Sequence, residues 1–483
     1  MYLKLEPQLL SPEKFELGKL DPNNRWVIMS ELIPWSEFEE EYSLQLSDKM
    51  GAPAKPFRMA LGALIIKEKL GISDRETVEQ IRENPYLQYF IGLSNYSNEL
   101  PFDPSLMVYF RERISQDLVN KINERMVKKN QENQEVELEK NSGKKNSGKL
   151  IVDASCAPSD ISYPTDLRLL NQGREISEKI LDKLYKQIQC LLVKKPRTYR
   201  KKARKDYLAV ARNRKPSQSK IREGIKKQLE YVRRNLKNID KLIEKGCSLS
   251  KLSDKQYKNL LVITELYRQQ LQMYEQNERR IDDRIVSINQ PHIRPIIRGK
   301  AGKNVEFGAK ISASCYDGFV FLDHLSWDNF NESQDLIPQI EKYFEKTGYY
   351  PESVHADKIY RTRENRKWCK ERGIRMSGPP LGRPKNNVSK LDKKQAAEDE
   401  KIRNQIEGKF GNAKRKYSLN RVMTKLSHTS ETSIAITFLV MNLSTLLRQV
   451  MRIFLSFFVK NVLWGVCDYE NLSFLEKKES KVI

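Results

Sequence analysis

LIVDAS, residues 150–155, is an apolar, strand-forming run that carries a carboxylate at Asp153. A second carboxylate, Asp357, follows the short run SVHA in SVHADKIY, residues 353–360. A third, Glu407, sits in the helix-forming stretch RNQIEGKFGNAK, residues 403–414. With 63 acidic residues in the chain, any three carboxylates could be chosen, so their setting has to decide. Carboxylates at strand ends are held rigidly, and a helix can bring one more to them. Hard oxygen donors from separate elements are what a divalent-cation site requires.

The sequence between the second and third carboxylates, and before them, reads as alternating strands and helices. VEFGAKISAS, residues 305–314, alternates in polarity, Tyr316-Asp317-Gly318 is a turn, and FVFLDHL returns, which predicts a β-hairpin. Asp317 belongs to that turn. A helix over 333–346, the strand SVHA, a helix over 363–372 and a fifth strand at 374–376 follow. GPPLGRPKNNVSK, residues 378–390, is a Pro-, Gly- and Asn-rich loop. A helix then carries Glu407 to about residue 425, and an apolar helix starts near Ser433. The class is α/β.

The first 127 residues read as short helices. FRMALGALIIKEKL places Phe57, Leu61, Leu64 and Ile65 on one face, Ser73 and Glu76 form a capping box, and Asp103 and Pro104 open a further helix. Such a set suits a helix-turn-helix DNA reader or an oligomerisation module. Residues 128–149, with NSGKKNSGK, are too polar to bury a core and predict a flexible linker. Within 170–285, Ile221, Ile225, Leu229, Val232, Leu236 and Ile239 recur at steps of three and four, and a second helix follows over 254–274. An antiparallel helical hairpin is the economical reading. Between Lys194 and Lys227 stand 15 Lys or Arg against Asp206 and Glu223, a composition suited to phosphate contact or to a solvated face.

A net charge of +24 over 483 residues points to a polyanionic partner, nucleic acid before membrane. The six cysteines form no CxxC pair and there are four histidines, which argues against structural zinc and fits a reducing compartment. The most apolar stretch, 432–447, has 16 residues without a charge, then Arg448 and Arg452, and reads as a buried helix. The N-terminus lacks signal-peptide architecture. The expectation is a soluble cytoplasmic protein associated with the nucleoid.

Arg403, Glu407 and Lys414, at spacings of four and seven, share one helical face. In this the chain resembles the DDE transposases of bacterial insertion sequences, one large group of which carries Tyr, two residues, Arg, three residues, Glu, six residues, Lys. Glu400 stands in place of the Tyr. ADKIY, residues 356–360, resembles the family's second motif, LIVDAS its first, and residues 57–113 its N-terminal domain. The resemblance implies a ribonuclease H-like mixed sheet with a long helical insertion and a helical N-terminal domain. Its parts would be a DNA-binding or oligomerisation domain over 1–127, the linker, a catalytic domain over 150–169 and 301–430, the basic insertion over 170–300, and an apolar helix and tail over 431–483.

The implied activity is cleavage at terminal inverted repeats and strand transfer into target DNA, by a homodimer on paired ends. Asp153, Asp357 and Glu407 would hold two Mg²⁺ ions, with Mn²⁺ as a substitute, and Arg403 and Lys414 would grip phosphates. His292, Arg294, Arg298 and Lys300, in the Pro-pinned basic loop NQPHIRPIIRGKAGK, are candidates for DNA contact at the rim. His355 reads as a structural hydrogen-bonding residue and Trp368 as packing. The alternatives are a catalytically silent DNA-binding protein of the same descent, and a nuclease that cuts without joining.

Overall fold

The computed structural model describes residues 15, 19–46, 53–135, 146–191, 194–300, 303–378 and 389–479, without the side chains of 132–135, 191, 298–300, 303–304 and 454–479. Its first helices are α1 (Arg25–Leu32), α2 (Trp35–Ser43), α3 (Phe57–Leu70), α4 (Asp74–Glu83), α5 (Pro85–Phe90), α6 (Leu106–Arg113) and α7 (Gln116–Glu135). Local chemistry sets their ends. Asn24 caps α1 by accepting from the Trp26 amide, and Gly71, at φ +68°, supplies the left-handed residue that closes α3. Ser73 caps α4 through the Glu76 amide. The reciprocal half of the expected capping box is replaced, because the Glu76 carboxylate accepts from Gln80 Nε2 at 3.0 Å. The linker expected from residue 128 is helical as far as Glu135, and 136–145 lie outside the described residues.

Six strands form one mixed sheet: β1 (Lys149–Pro158), β2 (Arg294–Lys300), β3 (Lys303–Tyr316), β4 (Phe319–Ser326), β5 (Ser353–Ala356) and β6 (Arg375–Met376). The expected hairpin is β3 and β4, with Asp317 at φ +51° in its turn. β3 is antiparallel to β1, β2 and β4, whereas β1, β5 and β6 are parallel. Gly308 of β3 faces Pro158 on one side and Arg294 on the other, so β2 lies along the edge of β3 away from β1. The basic segment read as a loop is therefore a strand over its second half. Pro295 is tolerated there because β2 is an edge strand, with β3 as its one partner.

Between β1 and β2 lie α8 (Asp166–Gln187), α9 (Arg200–Ala211), α10 (Gln218–Glu244) and α11 (Asp254–Gln276). A hairpin of two helices was the expectation, but α8 is a third long helix beside them. Its Leu169 and Leu170 pack with Leu229, Val232, Ile263 and Leu266, and its Ile180, Leu181 and Leu184 pack with Ile239 and Leu242. The apolar stripe of α8 needs a cover of its own, which a two-helix seam leaves out.

The remaining helices are α12 (Leu336–Thr347), α13 (Arg363–Glu371), α14 (Lys390–Lys416) and α15 (Ser427–Glu479). The helix bearing Glu407 stops at Lys416, short of the expected residue 425. The first half of α15 joins the parts of the molecule. Thr432 Oγ1 lies 3.1 and 2.9 Å from the carbonyl oxygens of Arg111 and Ile114, either of which can accept its one proton. Asn442 donates to Asn123 Oδ1 and to the Val320 carbonyl and accepts from the Val320 amide. Residues of α1–α7, of the sheet and of α15 thus form one continuous hydrophobic core, and the stretch read as a buried helix, 432–447, lies within it. Residues 427–453 are long and apolar enough to cross a membrane, yet 67% of their most apolar window is buried inside the protein.

Candidate active site

β1 and β5 run parallel with Ile151 opposite His355 and Val152 opposite Ala356. The next residue along each is a carboxylate, Asp153 and Asp357, so the register sets the two side by side at the carboxyl end of β5. α14 crosses β1 and β5, burying Ile402, Ile406, Phe410 and Ala413. That same packing brings Glu407, beside Ile406, to the carboxylate pair. Three distant stretches of chain meet in one place.

Asp153 registers the convergence. Burial pushes its carboxyl up to about 6, the Ala154 amide donating to Oδ1 at 2.8 Å works against this, and the negative charges of Glu332, Asp357 and Glu407 raise it further. Asp357 ends β5 and caps the short turn 358–360, its Oδ1 accepting from the Lys358 amide at 2.7 Å. Glu407 accepts from Arg403 Nη1 at 2.8 Å, and Arg403 also donates to Glu400 at 2.6 Å. The Glu400 hydrogen bond, with that of Glu407, raises the Arg403 guanidinium above its ordinary value. Lys414 is partly buried in the last turn of α14.

Two neighbours, Glu332 and Arg361, were not found from the sequence, and a third, Tyr360, ends the ADKIY motif already singled out. Glu332 lies in a one-turn segment after β4 and pairs with Lys310 of β3 at 2.9 Å. Arg361 donates to the Ala356 carbonyl at 2.8 Å and is within electrostatic reach of Asp357, Glu400 and Arg403. Tyr360 is fully buried, and burial, followed by Glu332 and Asp153, raises its hydroxyl. Glu332 and Arg361 are remote in sequence from Asp153 and lie in or beside short turns, where periodicity carries no signal.

The rim residues are placed differently from one another. His292 packs edge-on against Trp327 at 4.4 Å between centroids, and burial lowers it to about 4, so it is neutral at pH 7 rather than a phosphate-binding cation. Arg294, at the start of β2, donates to the Pro291 carbonyl at 2.5 Å. The backbones of Arg298 and Lys300 lie in β2, and their side chains lie outside the described residues. His355 is buried, 3.0 Å from Ser353 Oγ and 3.7 Å from Asp399. Trp368 packs against Tyr350, as a structural side chain would.

Among the described residues no three His, Cys, Asp or Glu side chains stand at metal-holding distance. In kind the donors suit a hard divalent cation. They are all carboxylate oxygens, and the charged groups that act most on Asp153 are themselves carboxylates.

Two family models match the chain. One, described as a transposase DDE domain, covers residues 354–444, a span that includes Asp357, Arg403, Glu407 and Lys414 and leaves Asp153 outside. The other, described as a transposase domain (DUF772), covers residues 15–113. The uncharacterized protein ORF8 in the nfe locus of Rhizobium meliloti is 30% identical over 151 residues, 31% of this chain and 69% of that protein. No solved structure matches. With a helical N-terminal segment and a carboxylate-bearing sheet-and-helix segment each matched, the chain belongs to the DDE transposases of insertion sequences.

Proposed function

We propose that this transposase cuts DNA at the terminal inverted repeats of its own element and joins the freed 3′ end to target DNA. The observation that carries the reading is the juxtaposition of Asp153 and Asp357 on adjacent parallel strands, with Glu407 brought across them by α14. The order β4-β3-β1-β5-β6 of the sheet supports a ribonuclease H-like catalytic domain. Asp153, Asp357 and Glu407 are the residues that would hold Mg²⁺ or Mn²⁺. Two such ions, when bound, acidify the attacking hydroxyl and steady the leaving oxygen.

The side chains do the rest. Asp357 is exposed at the end of β5, where a phosphodiester can reach it, while Asp153 lies deeper and is held by the Ala154 amide. Arg403, anchored between Glu400 and Glu407, carries a positive charge beside the carboxylates and grips the phosphate next to the cut. Arg361 fixes the end of β5 through the Ala356 carbonyl and so orients Asp357. Lys414 is the second phosphate contact on α14. Residues 1–127 contribute to end recognition or to a dimer on paired ends, and the protein works in the cytoplasm on nucleoid DNA.

The test compares wild type with Asp357→Asn on labelled duplexes copied from the flanks of the coding sequence, in Mg²⁺. Nicking at the repeat boundary and joining by wild type, with binding but no cutting by the variant, supports the reading. Equal binding with no cutting by either protein replaces it with a silent DNA-binding protein of the same descent.

A further inference from the structure

The helical insertion has no part in the reaction as proposed so far, yet it carries the densest charge in the molecule. Between Lys194 and Lys227 there are 15 Lys or Arg and two acids. The fold occupies both acids. Asp206 accepts from the Tyr231 hydroxyl of α10 at 2.8 Å, and Glu223 pairs with Lys227 at 2.7 Å. Of the 12 residues of α9 only Ala203 is buried. Lys201, Lys202, Arg204, Lys205, Arg212 and Arg214 are exposed and form no ion pair among the described residues. Lys201 and Lys205 are like charges four residues apart on this helix, whereas Arg200 is held by Asp182 of α8 at 2.6 Å. Such like-charged pairs weaken a helix in isolation, and a polyanion laid along it removes the penalty.

The insertion is rooted on the strand that carries Asp153. β1 leaves the sheet through Pro158, five residues after Asp153, and β2 returns through Arg294; both face Gly308. Along its base three cavities adjoin. The first, about 200 Å³, lies by Asp160 and Lys425, and shares Tyr163 and Pro164 with a second of about 630 Å³. The second shares Arg279 and Arg284 with a third of about 480 Å³, which reaches Gln218 and Arg222 at the start of α10. These adjoining hollows form a groove from Asp160, two residues past β1, to Gln218 and Arg222 at the start of α10, within the basic segment. Its walls hold both signs of charge, with Asp166 paired to Arg284 at 2.5 Å, so the net positive field comes from the basic segment.

We propose that α9, the α9–α10 connection and this groove form one surface for the phosphate backbone of duplex DNA, held irrespective of sequence, at the root of which lies the strand that carries Asp153. Lysine and arginine on an exposed helix neutralise phosphates without reading base edges. The inference rests on the transposase reading for its direction, and adds a surface which that reading does not require.

The experiment measures duplex affinity against salt concentration in an Asp357→Asn background, so that no strand is cut. Two duplexes are used, one with the terminal repeat and one of unrelated sequence. Replacing Lys201, Lys202, Arg204 and Lys205 together by Ala lowers the slope of log affinity against log salt by roughly 3 to 4 on both duplexes. A control replaces Lys237, Lys241, Lys245 and Lys251, exposed at the other end of the insertion, by Ala, with the same change in net charge and no change in slope. A variant exchanging Lys for Arg and Arg for Lys at the four α9 positions retains the slope, which separates lost charge from lost fold. An unchanged slope in the Ala variant, an equal loss in the control, or a loss on the repeat duplex alone overturns the proposal while leaving the transposase reading standing. If the parent binds neither duplex, both fall.

Discussion

Arg375 on β6 grips Asp399 on α14 through Nη1 and Nη2 of its guanidinium, each 2.8 Å from a carboxylate oxygen. Burial by itself would raise the Asp399 carboxyl, but the hydrogen bonds from Arg375 and Gln395 hold it below its ordinary value. The pair ties the helix that carries Glu407 to the sheet that carries Asp153 and Asp357. His355, buried two residues before Asp357, lies against the same carboxylate. Asp399→Ala is expected to cost about 2 to 3 kcal/mol, the value of charge-assisted bonds left unmade in a buried place. Since the folded value is depressed, this stabilisation is present at neutral pH and is lost as pH falls below about 4. Denaturant melts at pH 7 and pH 3 check it. Single-turnover nicking should slow while duplex affinity holds, because Glu407 loses its anchor and the DNA surfaces do not.

Asp153 predicts the opposite pH dependence. Its carboxyl is raised to about 6, so the folded protein holds a proton there that the unfolded chain releases near pH 4. Its contribution to stability is therefore least unfavourable at low pH and worsens as pH rises from about 4 to 6. In a chelator, Asp153→Asn should raise the melting temperature at pH 8, by an amount equivalent to roughly 1 to 2 kcal/mol, and the gain should fade toward pH 4. A variant no more stable than wild type at pH 8 would show that the clustered charge carries no cost.

Glu400 stands where the resembled motif has Tyr, and it takes one side of Arg403. The pair is exposed on the Glu400 side, so Glu400→Gln should change stability by less than about 1 kcal/mol and nicking by less than about tenfold. Arg403→Ala should leave stability similarly close to wild type but slow nicking by about 100-fold or more, as removal of one donor from a charged transition state does. Parallel melts and single-turnover rates separate the two.

Gly308 sits where β3 has a partner on either side. A Cβ there would run into the Ala157 carbonyl oxygen and lie 2.8 Å from Pro158 Cα, both backbone atoms that cannot rotate away. Gly308→Ala should therefore cost about 1 to 3 kcal/mol and loosen the root of the insertion together with β1. Hydrogen exchange of the β1 and β2 amides would register it, and protection equal to wild type would refute the close approach.

The strands bearing Asp153 and Asp357, the β3–β4 hairpin and the helix bearing Glu407 were all legible in the chain, because each is a local pattern of polarity bounded by turn residues. β2 was not legible, since Pro295 and the surrounding basic residues resemble a loop until an edge of β3 is available to pair with. The third long helix of the insertion was missed for a related reason: the seam along 221–239 shows that a partner exists but not how many. Glu332 and Arg361 had no signal at all, lying in short turns whose place depends on the whole sheet.

Composition and periodicity by themselves determined an α/β chain with a net charge of +24, and the resemblance of three motifs to the DDE transposases pointed to the family and to which carboxylates to examine. Only the tertiary structure decided that Asp153 and Asp357 are neighbours, that Glu332 joins their field, and that α15 fuses the N-terminal helices to the sheet. Local sequence governs dihedral preference and which face of an element is apolar. The meeting of elements hundreds of residues apart depends on strand register and shared burial, which belong to the folded chain as a whole.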